Sequence, residues 1–400
     1  MAAKAELLCP AGDRERLMMA LHYGADAVYL AGRRYGMRAA SANFSDDELS
    51  EAVQLAHAHG ARIYVTCNTL PLEDELDELP RYLGFLQEAG VDALIIADLG
   101  VLELAKRHAP RVARHVSTQF GVINSAAANA LYALGADTVV LARETTLADI
   151  RKIRANTPPE LRLEAFVHGA MCVSFSGRCL LSNYLTGRDA NRGQCAQPCR
   201  WKYHLVEETR PGEYFEISED GGTHILNSRD MCMIEHVPEL LEAGVGSLKI
   251  EGRMKSAYYT AVVTNAYRHA LDAAFSGESL DPLWVEETRK VSHRPYTTGF
   301  YFGEPGQYYP DAMYDSDAEV MAVVTSCEED GSAVLTQRNK FLRGDTLELL
   351  MPHRTPVSFV VGDMYDAEGR ELADTRRAMM EIHLKLPCCA PPFSILRKCK

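Results

Sequence analysis

The hydrophobic positions of this chain fall into short continuous runs, and five of them follow a glycine that ends a helix-like stretch. These junctions are "YGADAVYL" at Gly24, "HGARIYV" at Gly60, "AGVDALII" at Gly90, "LGADTVVL" at Gly135 and "AGVGSLKI" at Gly244. A glycine after a helix accepts the left-handed backbone that closes the helix. Apolar runs without alternation are typical of strands covered on both faces. The pattern therefore predicts parallel strands that alternate with helices.

On this basis eight strands are predicted, at 6–9, 26–31, 62–67, 92–97, 114–118, 138–142, 162–167 and 247–251. Helices are predicted between most of them, for example at 46–59 and 73–89, and another at 256–275. Ser45, before the acidic residues of "FSDDELSEAV", is a helix N-cap signal. Eight such units indicate an α/β fold of the (β/α)8 TIM-like barrel type. A doubly wound open sheet is the competing architecture, but no GxGxxG follows the first strand.

The pattern changes at about residue 300, where short β-prone segments are separated by Gly, Asp and Pro. The segments are "EVMAVVTSC", "SAVLTQ", "DTLELLM", "VSFVVGDMY" and "MEIHLKL". They predict a small C-terminal all-β domain, either a barrel or a sandwich. The predicted domains are therefore a barrel at 1–300, with a cysteine-rich loop at 172–199, and a β-domain at 301–400.

Composition narrows the class of protein. The 400 residues are 47% hydrophobic, yet the longest apolar runs are too short to cross a bilayer. The first residues lack the apolar core of a signal peptide. We therefore expect a cytoplasmic protein without a membrane partner, in which clustered cysteines indicate metal binding or catalysis rather than disulfides. The formal charge of −13 argues against broad, non-specific nucleic-acid binding but leaves room for a local basic patch.

Four of the eleven cysteines lie in "CVSFSGRCLLSNYLTGRDANRGQCAQPCRW", at Cys172, Cys179, Cys195 and Cys199. The segment follows the seventh predicted strand, so it lies at the C-terminal face of the barrel, where such barrels carry their active sites. Four thiolates suit an all-cysteine zinc site or an iron–sulfur cluster. Only the last two cysteines form a tight pair, which favours the larger inorganic core. Four reduced thiols in a tolerant loop are the alternative.

A family resemblance makes this expectation more specific. "EAFVHGAMCVSFSGRCLLS" (164–182) resembles the signature of the collagenase-like peptidase family U32, and "ELLCPAG", "GADAVYL", "SLKIEGR" and "HRPYTTGF" resemble its other blocks. Despite the family's name, the resemblance implies an oxygen-independent hydroxylase with a [4Fe–4S] cluster and prephenate as the hydroxyl donor. Residues 187–203 and 210–231 are most similar to the branch that forms 5-hydroxyuridine at the tRNA wobble position.

The resemblance also implies which residues hold the cluster. The family's ligands correspond to Cys172, Cys179, Cys195 and Cys199, with Cys232 as the rival fourth ligand. Some family members work in pairs, so a second family member is a candidate partner subunit beside tRNA and prephenate. Cys9 and Cys67 are interpreted as small buried hydrophobic residues.

Polar residues at the ends of the predicted strands form the candidate pocket: Asn68, Asp98, Ser117, Gln119, Arg143, Glu144, His168, Lys249, Glu251 and Arg253. We assign catalytic roles to His168, Glu251 and Arg253, and substrate binding to Asn68, Gln119, Arg143, Lys249, Arg200 and Trp201. A guanidinium binds carboxylates in a two-pronged manner, so Arg253 and Arg143 are the hypothetical clamps for the two carboxylates of prephenate. His168 is a candidate proton shuttle. Hydrogen bonding within the barrel end is the alternative role for each residue.

Basic and aromatic residues suggest an RNA surface. Arg188, Arg192, Arg200 and Lys202 flank the cysteines, and Arg338, Lys340 and Arg343 cluster in "QRNKFLRGD". Trp201 and Tyr184 offer faces on which an extruded base can stack. Solvated surface charge is the alternative, especially for the second cluster.

Two other functions compete with RNA hydroxylation. A peptidase is suggested by the family name, but the chain has no HExxH and no GxSxG-type elbow. A zinc-stapled binding module without catalysis is the third interpretation.

Overall fold

The computed structural model describes residues 5–37, 43–172, 174–175, 179–190, 193–201, 205–206, 214–215, 228–306 and 316–400, without the side chains of 200, 205–206 and 214–215. The helices are α1 (Arg14–His22), α2 (Asp46–Ala58), α3 (Leu79–Glu88), α4 (Leu99–His108), α5 (Ser125–Ala133), α6 (Leu147–Ala155), α7 (Leu181–Thr186), α8 (Val237–Glu242), α9 (Ala257–Ser276) and α10 (Pro282–Arg289).

The first strands are β1 (Glu6–Pro10), β2 (Ala27–Leu30), β3 (Arg62–Cys67), β4 (Ala93–Ile96), β5 (Ala113–Val116), β6 (Thr138–Val140), β7 (Arg162–Ala170), β8 (Leu205–Val206), β9 (Tyr214–Phe215), β10 (Asp230–Cys232), β11 (Ser247–Ile250) and β12 (Tyr296–Thr297). The later strands are β13 (Ala318–Cys327), β14 (Ser332–Gln337), β15 (Thr346–Leu350), β16 (Val357–Val360), β17 (Met364–Tyr365), β18 (Glu371–Leu372), β19 (Glu381–Lys385) and β20 (Ile395–Cys399).

Eight parallel strands close into a barrel. Strands β1 to β7 pair in chain order, and β11 pairs with both β1 and β7. The sheet therefore has no open edge between its first and last strands, which confirms the predicted (β/α)8 barrel and excludes the open doubly wound sheet. Each of the eight predicted strands coincides with one of these barrel strands.

The junctions between helices and strands behave as the sequence predicts. All five junction glycines have a positive φ, from +73° at Gly60 to +104° at Gly24. At Gly244 a Cβ would also lie 2.4 Å from the Arg154 side chain, so any larger residue would clash. Ser45 caps α2: its hydroxyl accepts from the Glu48 N–H, while the Glu48 carboxylate accepts from the Ser45 N–H at 2.7 Å.

The predicted helix at 73–89 was too long. Residues Glu73–Glu75 form a separate 3-10 turn, and α3 begins only at Leu79. Pro80 stands in the first turn of α3, where proline is tolerated because its missing N–H would have no helical partner there. The same residue inside a continuous helix would remove a hydrogen bond.

Two short strands that the sequence did not predict extend the sheet beside the barrel mouth. The end of β7 pairs antiparallel with β10, so that His168 lies opposite Cys232 and Ala170 opposite Asp230. Strand β12 pairs with β10. The buried pair of Arg294 and Asp230, 2.8 Å apart, fixes this extension.

The C-terminal domain is one antiparallel eight-stranded sheet that forms a half-barrel, with the strand order β16-β15-β20-β13-β14-β19-β17-β18. All five predicted β-segments lie in it, whereas β18 and β20 were missed. Its buried core includes Met321, Leu335, Phe341, Leu349 and Ile382.

Contacts divide the chain into two compact units. The barrel unit comprises Met1–Leu17, Ala25–Met254 and His293–Tyr314, and the second unit comprises Met18–Gly24, Lys255–Ser292 and Asp315–Lys400. The second unit thus contains α9 and α10 as well as the half-barrel sheet. The boundary at residue 300 stays a prediction.

Candidate active site at the mouth of the barrel

The cysteine-rich segment leaves the barrel where the sequence predicts. Strand β7 ends at Ala170, two residues before Cys172. Cys172 and Cys195 are exposed, and Cys179 and Cys199 are half-buried. Because the four residues follow the C-terminal end of a barrel strand, they lie on the side of the barrel that carries active sites.

Three of these thiols share one electrostatic neighbourhood. Although Cys172 is exposed as a residue, partial desolvation raises the pKa of its thiol. A hydrogen bond from the Ser174 backbone and the charge of Arg143 lower this pKa, while the Cys179 and Cys195 thiols raise it. These three thiols are therefore close enough to one another and to Arg143 to affect the charge of Cys172. Such a donor set fits a thiolate-bound metal cluster.

The described sulfur atoms do not converge on one metal site in this structure. Among the residues that the structure describes, no group of three or more His, Cys, Asp or Glu side chains is arranged to hold a metal ion. Cys232, the rival fourth ligand, lies on β10 and is half-buried. Its backbone is opposite His168 on β7. Cys9 and Cys67 are buried, at 0% and 1% exposure, which confirms their interpretation as core residues.

Arg143 and Glu251 lie close together at the mouth of the barrel, which is the end formed by the C-termini of its strands. The Arg143 guanidinium lies 4.1 Å above the Phe166 ring, and its Nη2 is 3.9 Å from Glu251 Oε2. The Tyr29 hydroxyl contacts the same carboxylate at 3.3 Å and donates to the Ile250 carbonyl at 3.1 Å. A guanidinium held by a ring face and a distant carboxylate keeps N–H groups available for a further anion.

Lys249 lies on β11, two residues before Glu251 in the chain. Its ammonium is buried, and it donates to Glu164 Oε1 at 2.7 Å. It also lies 4.7 Å from the Tyr29 ring centroid and 5.5 Å from that of Phe166. Within the described residues Lys249 makes one hydrogen bond, although an ammonium has three donors.

Glu164 continues a buried polar chain toward the other end of the barrel. The Ser247 hydroxyl lies 3.1 Å from Glu164 Oε2 and 3.0 Å from Glu6 Oε1. Glu6 also accepts from the Tyr64 hydroxyl at 2.7 Å and pairs with Arg62. Burial raises the pKa of Glu6, and Arg62 and Tyr64 oppose this shift. The barrel interior therefore contains a chain of buried polar and charged groups beside an apolar cluster that includes Leu8, Ala93 and Ile95.

Arg253 and His168 are both buried, at 4% and 1% exposure. Arg253 Nη1 donates to Thr66 Oγ1 at 3.1 Å. The Arg253 carbonyl would lie 2.3 Å from a Cβ at Gly12, so glycine is required where the two loops meet. His168 Nε2 lies 3.3 Å from the Tyr296 hydroxyl. Burial makes His168 a histidine of the site interior rather than a solvated one.

Three other residues of the predicted pocket, Asn68, Gln119 and Ser117, are linked by hydrogen bonds. Asn68 Nδ2 donates to Gln119 Oε1 at 2.8 Å, and the Ser117 hydroxyl lies 3.2 Å from the same oxygen. Asn68 Oδ1 accepts from the Met37 backbone. Asp98 caps α4 by accepting from the Val101 N–H at 3.0 Å. This capping bond gives Asp98 a role in local helix structure.

The predicted RNA surface divides into two parts. Trp201 and Tyr184 are exposed at 42% and 87%, so both ring faces are accessible. The side chains of Arg192, Arg200 and Lys202 lie outside the described residues. In the half-barrel sheet, Lys340 pairs with Asp374 at 3.1 Å and Arg343 with Asp363 at 2.8 Å and Glu371 at 3.0 Å. These carboxylates neutralise that basic cluster locally.

Sequence reasoning missed Tyr29 and Glu164 as parts of the site. A signal for Glu164 was present, since "RLEAFVHGA" places a carboxylate inside an otherwise apolar strand. Tyr29 carried no comparable signal, because tyrosine is common in buried strands.

The chain is thus a (β/α)8-barrel protein with charged side chains gathered at the end where barrel enzymes carry their active sites. It belongs to peptidase family U32. The family model matches residues 12–310, and the model of the peptidase family U32 C-terminal domain matches 316–397.

Curated relatives resemble almost the whole chain. The tRNA hydroxylation protein P1 of Bacillus subtilis is 38% identical and covers 99% of this chain and 95% of its own length. The tRNA hydroxylation protein P of Escherichia coli is 36% identical, over 92% of this chain and 91% of its own. The 23S rRNA 5-hydroxycytidine synthase of Escherichia coli is 39% identical, over 75% of this chain and 46% of its own.

No helix in the described parts of the chain is long and apolar enough to span a bilayer.

Proposed function

We propose that this protein is a cytoplasmic tRNA hydroxylase that forms 5-hydroxyuridine at the wobble position, with prephenate as the hydroxyl donor and without molecular oxygen. The observation that carries this proposal is the likeness of nearly the full chain to relatives named as tRNA hydroxylation proteins. The rRNA hydroxycytidine synthase widens the support to RNA hydroxylation as a class.

Two cations at the barrel mouth support the proposal that a small anionic co-substrate binds there. Lys249 presents a buried ammonium that uses one of its donors, and Arg143 presents a guanidinium that is 15% exposed. Prephenate carries two carboxylates, and we assign one to each of these cations. Arg253, the other cation that the sequence predicts as a clamp, donates to Thr66 and stays assigned to the site. Glu251 orients Arg143. We assign His168, hydrogen-bonded to Tyr296, to hold a proton at its Nε2.

The sulfur ligands support a [4Fe–4S] cluster held by Cys172, Cys179, Cys195 and Cys199. The shared neighbourhood of three of these thiols favours one centre over scattered reactive cysteines. When bound, the cluster supplies redox-active iron. Tyr184 and Trp201 are the assigned stacking faces for RNA bases, and a second family member is a candidate partner subunit.

The direct test is nucleoside analysis of tRNA from cells that lack this gene. We expect 5-hydroxyuridine derivatives to disappear and to return with the wild-type gene. Purified protein, anaerobic buffer, undermodified tRNA and prephenate should then restore the nucleoside in vitro. Product that forms without prephenate, or only with oxygen, would contradict the donor assignment.

The cluster has its own test. Protein purified without oxygen should be brown, with a broad visible absorbance and matching iron and sulfide contents. Cys199→Ser should lower these contents more than Cys232→Ser, and the reverse result would make Cys232 the fourth ligand. A colourless protein that contains zinc would instead support the zinc-stapled binding module.

A peptidase is the second candidate, favoured by the family's name. Incubation with collagen or casein, with and without the bound metal, distinguishes it from a hydroxylase. We expect no cleavage products in either case.

A further inference from the structure

A second group of sulfur atoms lies in the half-barrel sheet. Cys327 ends β13, and Cys388 and Cys389 lie in the connection between β19 and β20. The Leu386 N–H donates to the Gly331 carbonyl at 2.8 Å, which holds this connection against the turn after β13. Gly331 has a φ of +90°, and a Cβ there would lie 2.6 Å from the Leu386 carbonyl oxygen. The backbone thus brings the three cysteines together at a fixed place.

The thiols of Cys388 and Cys389 point to different neighbours. The Cys389 sulfur is 3.9 Å from the Cys327 carbonyl oxygen, while the Cys327 thiol lies 3.5 Å from the Glu328 carbonyl oxygen and close enough to Cys389 for the two thiols to affect each other's charge. The Cys388 sulfur lies 3.9 Å from Met351 Sδ, and both Cys388 and Cys327 pack against the apolar core of the sheet. Cys327 is therefore the partner that the fold gives to Cys389.

We propose that Cys327 and Cys389 form a modification site at which a hydroperoxide oxidises the two thiols to a disulfide. Cys389 is exposed, whereas Cys327 is half-buried beneath the connection, so the oxidant meets Cys389 first. Neither residue belongs to the barrel-mouth site, and the inference does not depend on the proposed hydroxylase function.

The reaction proceeds in two balanced steps. The Cys389 sulfur attacks the peroxide O–O bond and becomes a sulfenic acid, while the other peroxide oxygen leaves as water or an alcohol. The Cys327 thiol then attacks the sulfenic sulfur, an S–S bond forms, and the S–O bond breaks to release water. Two electrons pass from the two sulfurs to the peroxide, and both thiol protons end in the released molecules.

The surroundings of Cys327 fit the role of the second thiol. Burial raises its pKa, and the neighbouring Cys389 and Cys388 thiols raise it further, against a hydrogen bond from the Ala390 backbone. A protonated thiol reacts slowly with an oxidant from solution. Its position beside Cys389 supplies the proximity that makes the second step fast. In a reducing compartment such a disulfide is transient and reversible.

The test uses the full chain purified without oxygen. The protein is treated with hydrogen peroxide, the remaining thiols are blocked with N-ethylmaleimide, and the protein is digested without a reductant for mass spectrometry. We expect a linked peptide pair that contains Cys327 and Cys389, two hydrogen masses below the sum of its parts, with Cys388 blocked by maleimide. Dithiothreitol should abolish the link.

Three variants sharpen the test. Cys389→Ser, at an exposed position, should lower the yield of the linked peptide at least about tenfold, and Cys327→Ser should do the same. Cys388→Ser is the matched control and should retain the link. Thermal melting of each variant verifies its fold. A link through Cys388, oxidation of Cys389 without any link to Cys327, or protection of all three thiols by added zinc would each overturn the proposal.

Discussion

Each compact unit buries a network of charge, and the two networks differ in how fully their donors are used. In the second unit, Arg397 is completely buried between Glu287 and Glu348, with four hydrogen bonds of 2.6 to 2.9 Å to their carboxylates. In the barrel, the buried Lys249 ammonium makes one hydrogen bond, to Glu164. Arg143 approaches its carboxylate only to 3.9 Å.

We interpret the Arg397 network as structural, whereas the proposed function assigns the barrel cations to binding. Burial alone lowers the pKa of Arg397, but the hydrogen bonds and charges of Glu287 and Glu348 raise it above its ordinary value overall. A saturated pair of this kind holds α10 to strands β15 and β20 within the second unit. Among the described contacts, Lys249 makes one hydrogen bond and Arg143 only a 3.9 Å ion pair, and the proposed function assigns both to anion binding.

The largest expected effect comes from Arg397→Met. This change leaves the buried Glu287 and the half-buried Glu348 with Lys290 as a remaining cation, and we expect a loss of about 3 kcal/mol in the free energy of unfolding. Denaturant titration of the full chain measures it. Arg370→Met is the matched control on the same sheet, where Arg370 is 70% exposed and pairs with Asp366. Equal effects of the two changes would remove the structural role of the Arg397 network.

Lys249→Met tests the network inside the barrel. We expect a loss of about a hundredfold in kcat/KM for tRNA hydroxylation, because a preorganised cation beside the reacting anion is lost. The stability of this variant is measured alongside its activity, because the change leaves the buried Glu164 without its cation. Lys152→Met, at a 75% exposed ion pair of the same unit, is the control. Full activity in Lys249→Met would assign the lysine to structure.

His115 gives the barrel interior a pH dependence. Burial, followed by the charges of Lys249, Arg162 and Arg62, holds the pKa of His115 well below its ordinary value of 6.5. The folded protein keeps this histidine neutral, whereas the unfolded chain takes up a proton below pH 6.5. Stability should therefore fall as the pH drops below 6.5, by at most about 1.4 kcal/mol per pH unit for this group.

His115→Phe should reduce this acid sensitivity and keep the edge-to-face contact with Tyr64, whose ring centroid lies 4.6 Å away. Unfolding titrations between pH 7 and pH 5 measure the effect. The exposed His383 supplies the control variant His383→Phe. An unchanged slope in His115→Phe would show that His115 is protonated in the folded state.

The smallest effect is expected from Tyr29→Phe. The change removes the hydroxyl that contacts Glu251 and the Ile250 carbonyl, at a cost of about 1 kcal/mol in stability. Its effect on kcat should exceed that of Tyr365→Phe, a change at an exposed tyrosine. Steady-state kinetics of both variants decide whether Tyr29 positions the mouth residues through Glu251.

The strands of the barrel were predictable because each repeats one local rule. A positive-φ glycine followed by a short apolar run marks every junction that the pattern identified, and these features depend on neighbouring residues alone. Strand β10 escaped prediction because it pairs with an extension of β7, and β20 because its buried Arg397 breaks the apolar pattern.

The sequence could predict which residues stand at the ends of the barrel strands, but it could not predict which side chains they contact. Polar residues that follow barrel strands are expected at one face of the barrel, and Arg143 and Glu251, which follow different strands, lie 3.9 Å apart. The partner of Lys249 is 85 positions away in the chain, and no local pattern reveals a contact of that separation.

The order of residues along the chain was sufficient to specify an eightfold barrel, its cysteine-rich loop and a β-domain, since periodicity and turn chemistry act over a few residues. Tertiary structure decided which charges are satisfied and which stay open, because hydrogen-bond saturation depends on side chains brought together from distant strands. The same reason explains why the Cys389 thiol contacts the Cys327 carbonyl, 62 positions away in the chain.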